Sequence, residues 1–172
     1  MTRPISDLII RRLEADDIQP IASAFQELGW HKPASQYEQY LQEQTHAQRA
    51  VAVAFYKGLF SGYLTICWTS KYPPFQAAQV PEIVDLNVLP QYRRRGIGTA
   101  LMNLAEDEIR QVSASAGIGV GLTADYGAAQ QLYVRRGYIP DGRGLYQGRS
   151  LHYGDSTVVD DDLVLYFTKV LK

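Results

Sequence analysis

Residues 82–112 read EIVDLNVLPQYRRRGIGTALMNLAEDEIRQV, and this stretch organises the chain around it. Residues 83–88 form a short apolar run rich in β-branched side chains, which predicts a buried strand. Pro90 can neither donate to a sheet ladder nor lie inside a helix, so the strand should end near Leu89. Apolar side chains then recur at helical spacing, at Ile97, Leu101, Leu104, Ala105, Ile109 and Val112. The stretch therefore predicts a strand, a turn and an amphipathic helix.

The turn contains three arginines and a glycine pair, in the order Arg93, Arg94, Arg95, Gly96, Ile97, Gly98. The first backbone N–H groups of a helix have no partner within the helix, and the helix dipole adds positive charge there. Glycine lets a ligand approach the backbone closely, and arginine adds forked donors. The turn therefore predicts an anion site suited to a phosphate ester, although a tight turn with a solvated basic face would show the same composition.

Two common phosphate-binding motifs do not fit this turn. No Lys-Ser or Lys-Thr follows either glycine, as a P-loop requires, and Leu101 stands where a dinucleotide fingerprint has its third glycine. The pattern Arg93-x-x-Gly96-x-Gly98, between a buried strand and an amphipathic helix, resembles the pyrophosphate-binding motif Arg/Gln-x-x-Gly-x-Gly/Ala of the GNAT superfamily of N-acetyltransferases.

A second segment resembles the same superfamily. Residues 129–138, AQQLYVRRGY, are similar to its Ala-x-x-Leu-Tyr-x-x-x-Gly-Phe segment, with Tyr138 in place of the usual Phe. The segment lies about thirty residues beyond the glycine loop, as it does in that family. One position departs from the pattern, because the usual Asn three residues before Ala129 is Tyr126 here, beside Asp125. The resemblance covers residues 82–138 closely and the rest of the chain in element order.

Elsewhere, the hydrophobic pattern predicts an uneven alternation of strands and helices. Strands are predicted at residues 8–12, 50–56, 59–69, 119–123 and 163–170, and helices at 18–28, 35–46 and 127–136. Residues 70–81 and 139–156 show no clear periodicity and are predicted to be irregular. We expect one α/β domain over residues 1–172, with a mixed sheet flanked by helices. The resemblance implies the acetyltransferase fold, a mostly antiparallel twisted sheet with helices on both faces, in which the organising strand and the next one splay apart.

The resemblance also implies acetyl-CoA as the cofactor. Its pantetheine arm would pair with the backbone of residues 86–88, which also meets the thioester oxygen, and its pyrophosphate would lie on the glycine loop. The implied cofactor-binding residues are Leu86, Asn87, Val88, Arg93, Arg94, Arg95, Gly96, Ile97, Gly98, Thr99, Asp125, Tyr126, Ala129 and Tyr133. No metal is predicted, because His31, His46 and His152 are too widely separated to show metal-ligand spacing.

Tyr133 matches the tyrosine with which members of the superfamily protonate the departing thiolate, in a direct transfer without an acyl-enzyme. A phenol with a pKa of about 10 stays protonated at neutral pH and can donate to a thiolate of similar basicity. The residue could instead be a packing aromatic on an amphipathic helix. Tyr126 could take over its role if that helix is rotated.

Glu82 is the general-base candidate. It lies eleven residues before Arg93, the spacing at which the histone-acetyltransferase branch of the superfamily has its catalytic glutamate. Strict alternation predicts one face shared by Glu82, Val84, Leu86 and Val88. Asp85 and Asn87 would then face the other way. A solvated strand-end glutamate, with a water chain as the base, fits the sequence equally well.

Charge and composition limit the partners. The net charge is −1 and the pI is about 6.3, which argues against a general nucleic-acid binder. No apolar run approaches the length of a membrane span, and the N-terminus lacks the apolar segment of a secretion signal. Cys67 is the single cysteine, so no internal disulfide can form, and we interpret it as a packing residue. We expect a cytoplasmic protein without membrane or nucleic-acid partners, and a homodimer is compatible with these features.

Three classes of function follow. The leading one is an acetyl-CoA-dependent N-acetyltransferase that acts on the primary amine of a small molecule in a ternary complex. The alternatives are a protein acetyltransferase acting on lysine or N-terminal amines, and a non-catalytic acyl-CoA sensor. The acceptor itself is not predicted, because the residues that would select it lie in the irregular segments 30–33, 69–81 and 139–162.

Overall fold

The computed structural model describes residues 5–171 of the chain. Its strands are β1 Leu8–Arg12, β2 Arg49–Tyr56, β3 Leu59–Cys67, β4 Glu82–Val88, β5 Ser115–Gly121, β6 Ile139–Tyr146 and β7 Val164–Val170. Its helices are α1 Ile18–Glu27, α2 Ala34–Thr45, α3 Pro73–Ala77, α4 Ile97–Arg110 and α5 Gly127–Arg135. Residues 1–4, which include part of the segment examined for a secretion signal, lie outside the described residues.

The strands form one seven-stranded open sheet in the order β1-β2-β3-β4-β5-β7-β6. All neighbouring strands are antiparallel except β4 and β5, which are parallel. The predicted mixed, mostly antiparallel sheet is therefore confirmed. Within residues 5–171 no helix is long and apolar enough to cross a bilayer.

Helices cover both faces of this sheet, as predicted. The side chains of β2 alternate between two cores: Ala50, Ala52 and Ala54 pack with α4, whereas Val51 and Val53 pack with α1 and α2. We call these two sides the α4 face and the α2 face. Tyr133 of α5 belongs to the core on the α4 face, so both motif-bearing helices lie on the same side of the sheet.

Three predicted elements differ from the structure. Residues 70–81, predicted to be irregular, contain the short helix α3, which tolerates Pro73 because a helix leaves its first N–H groups unpaired anyway. Residues 139–146 form β6, whose irregular pairing with β7 and positive-φ glycines hide the strand pattern. The strand predicted at 119–123 is β5, which begins earlier, at Ser115. Its alternate glycines supply no hydrophobic pattern from which that start could be predicted.

A β-bulge interrupts β4. Thr65 of β3 pairs with Val84 and Tyr63 pairs with Asn87, so a single β3 residue lies opposite both Asp85 and Leu86. Asp85 has a left-handed φ of 61°, which is uncommon for a residue with a side chain. Gly62 permits the close approach, because a Cβ there would lie 2.5 Å from the carbonyl oxygen of Asn87.

The bulge makes the predicted alternation wrong. Ile83 lies in the core of the α4 face, so Glu82 points to the α2 face. Asp85 also points to the α2 face, where it contacts α2. Leu86 and Val88 instead pack against the core of the α4 face. Glu82 and Asp85 therefore share a face, whereas Glu82 and Leu86 do not.

The strands β4 and β5 pair over a short distance only. Their register contains two pairs, Glu82 with Gly117 and Ile83 with Ile118, although β4 continues to Val88 and β5 to Gly121. Beyond Ile83 the two strands separate, as the resemblance implied. The backbone of residues 86–88 is thus unpaired on its β5 side and leads directly to the start of α4.

Candidate active site

The turn between β4 and α4 presents unpaired backbone donors. Gly96 occupies the cap position of α4 with a φ of 80°, a conformation that favours glycine. The first N–H that bonds within the helix is that of Ala100, which donates to Gly96 O at 2.9 Å. Within residues 5–171 no side chain caps this end, so the N–H groups of Ile97, Gly98 and Thr99 are available to an anion.

Gly98 keeps this surface open. A Cβ at Gly98 would lie 3.7 Å from Val88 Cγ2 and 4.0 Å from Leu132 Cδ2, which are ordinary contact distances. The protein's own packing therefore does not require glycine here, whereas a pyrophosphate approaching the backbone would. The same contacts show that the start of α4, the end of β4 and α5 meet at this point.

The three arginines of the turn differ in their surroundings. Arg93 Nε donates to Val88 O at 3.1 Å, and its guanidinium lies 5.9 Å from the ring of Trp30. The guanidinium of Arg95 lies 5.4 Å from the ring of Tyr56, and Arg94, with a φ of 61°, is exposed. Arg93 is thus tied to the end of β4, and all three side chains are exposed to solvent beside the free N–H groups.

Tyr133 lies on α5 and belongs to the core of the α4 face. Its side chain is buried, and burial raises its pKa, with smaller contributions from Tyr126 and Asp85. The phenol therefore keeps its proton at neutral pH. Its hydroxyl forms no hydrogen bond to any group within residues 5–171, so it is available to a ligand.

The other predicted residues of this region lie around the start of α5. The ring of Tyr126 covers Gly121, where a Cβ would lie 2.6 Å from the ring, and burial raises its pKa. Gln130 donates to Gly121 O at 2.8 Å and so fixes α5 to the end of β5. Ala129 packs against the core of the α4 face, whereas Asp125 is exposed and accepts a hydrogen bond from the Thr123 hydroxyl.

Glu82 lies at the opposite end of β4, on the α2 face. Its carboxylate accepts a hydrogen bond from the Ser70 hydroxyl, which itself accepts one from Tyr72 N–H at 3.0 Å. Burial raises the pKa of Glu82, and the hydrogen bond from Ser70 and the charge of Arg49 oppose this shift. The pKa of the neighbouring Cys67 is also raised by burial, which keeps the thiol protonated and unreactive.

Asp85 is a candidate site residue that was not predicted from the sequence. Its carboxylate accepts hydrogen bonds from five side chains: Lys32, Gln36, Tyr40, Tyr63 and Asn87. The available signal was an acidic residue in the middle of a strand predicted to be buried, EIVDLNV. Regular alternation placed it on the wrong face, because the bulge depends on Gly62 of the neighbouring strand.

An aromatic cluster was also missed. Alternate glycines of β5 leave space for rings: a Cβ at Gly117 would lie 2.2 Å from Phe75, and one at Gly119 would lie 3.1 Å from Tyr166. Tyr72 stacks on Tyr166 with ring centroids 3.6 Å apart, and its hydroxyl donates to Asp141 at 2.7 Å. The signal in the sequence was the alternation GIGVG, which reads as a weak strand unless its facing rings are known.

The predicted cofactor residues converge, but the two predicted catalytic residues do not. Residues 86–88, the glycine turn and α5 meet around Gly98, whereas Glu82 is four residues before Leu86, roughly 13 Å along the strand. The charged or polar groups that influence Tyr133 are Tyr126 and Asp85, not Glu82. Among residues 5–171, no three His, Cys, Asp or Glu side chains gather as a metal site would require.

The comparisons with known proteins agree with this geometry. The model of the acetyltransferase (GNAT) family matches residues 15–138. Curated protein sequences give no significant match. The fold is similar to that of an N-acetyltransferase from Staphylococcus aureus Mu50, with a TM-score of 0.71, 15% identity and coverage of 97% of this chain and 100% of that one.

Two further solved structures have similar folds. An acetyltransferase from Salmonella typhimurium, solved with its cofactor acetyl-CoA, has a TM-score of 0.68 at 16% identity and covers 97% of this chain and 95% of its own. A chimera of the spermidine N-acetyltransferase SpeG from Vibrio cholerae has a TM-score of 0.69 at 15% identity and covers 96% of each chain. Because the family match spans most of the chain and the fold agrees with it, the chain belongs to the GNAT family of acetyltransferases.

Proposed function

We propose that the protein transfers the acetyl group of acetyl-CoA to a primary amine of a small molecule, directly and within a ternary complex. The observation that carries this proposal is the early separation of β4 from β5, which leaves the backbone of residues 86–88 unpaired next to the uncapped start of α4. An extended, phosphate-bearing ligand fits both features, since the strand edge can bind an amide-containing arm and the helix start an anion.

Acetyl-CoA would supply the acetyl group as an activated thioester. The N–H groups of residues 97–99 would hold its pyrophosphate, and the free strand edge at residues 86–88 would hold its pantetheine arm. Backbone N–H groups fixed at that edge are suited to stabilise negative charge that develops on the thioester oxygen, because they need no reorganisation during the reaction.

Tyr133 would act as the general acid. Burial raises its pKa, so the phenol is protonated at neutral pH, and its hydroxyl is not engaged by the protein. A group in this state can give its proton to a departing thiolate and regain it from solvent.

Glu82 would take the proton that the acceptor ammonium must lose. Burial raises the pKa of this carboxyl, which makes it a stronger base than an exposed glutamate. Because it lies roughly 13 Å along the strand from Leu86, it would act through a chain of several waters rather than by direct contact.

The acceptor side supports a small amine. Two of the three segments that the sequence left irregular meet on the α2 face, where Tyr72 of the second packs against Phe75 and donates to Asp141 of the third. The first segment supplies Lys32, which pairs with Asp85 on the same face. Buried rings fill the part of this face next to Glu82, which favours a compact acceptor over an extended polypeptide.

An acceptor screen tests the proposed function. The purified protein is incubated with acetyl-CoA and a panel of small primary amines, alongside peptides that carry a free N-terminus or a lysine, and thiol release is measured. We expect release with at least one small amine and its loss in Tyr133→Phe. Release with peptides alone would indicate a protein acetyltransferase, and binding of acetyl-CoA without release from any acceptor would indicate a sensor.

A further inference from the structure

We propose that Asp85 is a positioning residue for acetyl transfer, which holds the loop between α1 and α2 against the bulge of β4 so that the acceptor can bind. This role rests on the proposed function, because it assumes that residues 86–88 meet the thioester. Asp85 would act through Lys32 of that loop rather than by touching the reacting atoms.

The carboxylate of Asp85 is saturated with donors. Oδ1 accepts hydrogen bonds from Lys32 Nζ and Asn87 Nδ2, both at 2.7 Å. Oδ2 accepts hydrogen bonds from Gln36 Nε2 at 3.0 Å, Tyr40 OH at 3.1 Å and Tyr63 OH. A carboxylate offers about four lone pairs, so the five donors leave Asp85 no free lone pair with which to bind a substrate. Its environment therefore suits a structural anchor.

The backbone at Asp85 is held in an unfavourable conformation. Its φ of 61° lies in the left-handed region, which persists only where the surroundings determine it. That conformation turns the carboxylate to the α2 face at the position immediately before Leu86. The donors from α2 and β3 thus fix the bulge from one side, and the bulge in turn fixes the N–H groups that follow it.

The loop of residues 28–33 connects the bulge to the glycine turn. Lys32 joins it to Asp85, and the Lys32 ammonium also lies 5.8 Å from the rings of Phe25 and Tyr63. Trp30, two residues earlier, stacks on Phe25 and lies 5.9 Å from the guanidinium of Arg93. The Lys32–Asp85 pair is largely shielded from solvent, with side chains 19% and 15% exposed, so salt screens it weakly.

The test uses a double-mutant cycle on the Michaelis constant of the acceptor. The variants are Asp85→Asn, Lys32→Met and the double variant, with Lys32→Arg as the conservative replacement. Asp17→Asn is the matched control, because Asp17 is also a buried carboxylate with several donors, Arg11 at 2.6 and 2.7 Å and Glu14 N–H at 2.9 Å, but lies at the start of α1.

We expect Asp85→Asn and Lys32→Met each to raise KM for the acceptor by about tenfold or more, the size of one charged hydrogen bond. The double variant should be no worse than either single one, since both remove the same contact. Lys32→Arg should stay near the wild type, and acetyl-CoA should still stabilise every variant, because the N–H groups of residues 97–99 do not involve Asp85. Asp17→Asn should lower Tm without changing KM.

Two results would overturn this role. One is an Asp85→Asn variant with a lowered Tm but the wild-type KM, which is the behaviour expected of the Asp17→Asn control. The other is a double variant whose KM rises by the product of the two single effects.

Hydrogen exchange separates this role from the proposed function. The amide of Trp30 donates to Phe25 O of α1 and that of Lys32 to Trp30 O, at 2.9 Å each, so their exchange reports the order of the loop without any turnover. They should exchange faster in Asp85→Asn than in the wild type and the Asp17→Asn control. If no acceptor is acetylated by the wild type, the proposed function fails, and unchanged exchange in Asp85→Asn would independently contradict the anchoring role.

Discussion

Glu82 and Asp85 lie three residues apart on one strand and point to the same face, yet their surroundings are opposite. Glu82 accepts a hydrogen bond from Ser70, and burial raises its pKa. Asp85 is surrounded by five donors from the α1–α2 loop, α2, β3 and β4. The number of donors thus distinguishes the two carboxylates, and on this difference we propose Glu82 as the base and Asp85 as the anchor.

Tyr133→Phe should have the largest effect and sets the scale against which the two carboxylate variants are compared. We expect turnover to fall by ~10²–10⁴-fold, because the proposed general acid acts only as the thiolate leaves, while CoA affinity changes little. Steady-state rates under conditions where chemistry limits the rate would measure this. Tyr138→Phe is the control, since its hydroxyl is buried in the core and lacks a hydrogen-bond partner within residues 5–171. A Tyr133→Phe variant with the turnover of Tyr138→Phe would remove Tyr133 from the mechanism.

Gly98→Asp should abolish the binding of acetyl-CoA, whereas substitution of either carboxylate should not. An acidic residue in the first turn of α4 is favourable for the helix dipole but repels a pyrophosphate. We therefore expect the free protein to keep its Tm and to lose the stabilisation by acetyl-CoA, which should be about 2.7 kcal/mol at a hundredfold excess over Kd in the wild type. Thermal unfolding with and without acetyl-CoA measures this, and Glu82→Gln and Asp85→Asn should both retain the shift. A Gly98→Asp variant that is still stabilised would contradict the anion site.

At neutral pH, Asp85→Asn should destabilise the fold relative to the wild type, whereas Glu82→Gln should stabilise it. Asp85→Asn should cost roughly 1.5–3 kcal/mol, the range for a hydrogen bond to a charged group. A raised pKa in the folded state means that Glu82 stabilises the fold below its unfolded pKa of about 4.3 and loses this contribution as pH rises through the folded pKa. Glu82→Gln should thus gain Tm relative to the wild type as the pH rises above about 4.3, and the gain should level off above the folded pKa of Glu82. A Tm difference that is constant with pH would contradict the raised pKa.

The strand, turn and helix of residues 82–110 could be predicted because their signals are local: an apolar run, Pro90, a glycine pair and a helical repeat. Strand β6 could not, because its pattern is broken by positive-φ Gly142 and Gly144 and it is defined by pairing with β7. The alternation of side chains between the two faces of a strand is also a local rule. It gave the wrong face for Asp85, because the bulge in β4 depends on its pairing with β3.

In the candidate site, too, the parts with local sequence signals could be predicted and the parts that depend on distant residues could not. The positions around Gly98 follow from two motifs, and the structure brings them together. The environment of Asp85 depends on Lys32, Gln36, Tyr40 and Tyr63, which lie 22 to 53 residues away in sequence. Only the folded chain shows that these donors meet one carboxylate.

The most direct test of the distinction between base and anchor is the dependence of turnover on pH for the wild type, Glu82→Gln and Asp85→Asn with one amine acceptor. Above the pKa of Glu82, the deficit of Glu82→Gln should be largest at low pH and shrink as the pKa of the amine, about 10 for a lysine-like acceptor, is approached. The deficit of Asp85→Asn should lie in KM and stay constant with pH. A Glu82→Gln profile parallel to the wild type, with a pH-dependent deficit in Asp85→Asn instead, would contradict the assignment of the two roles.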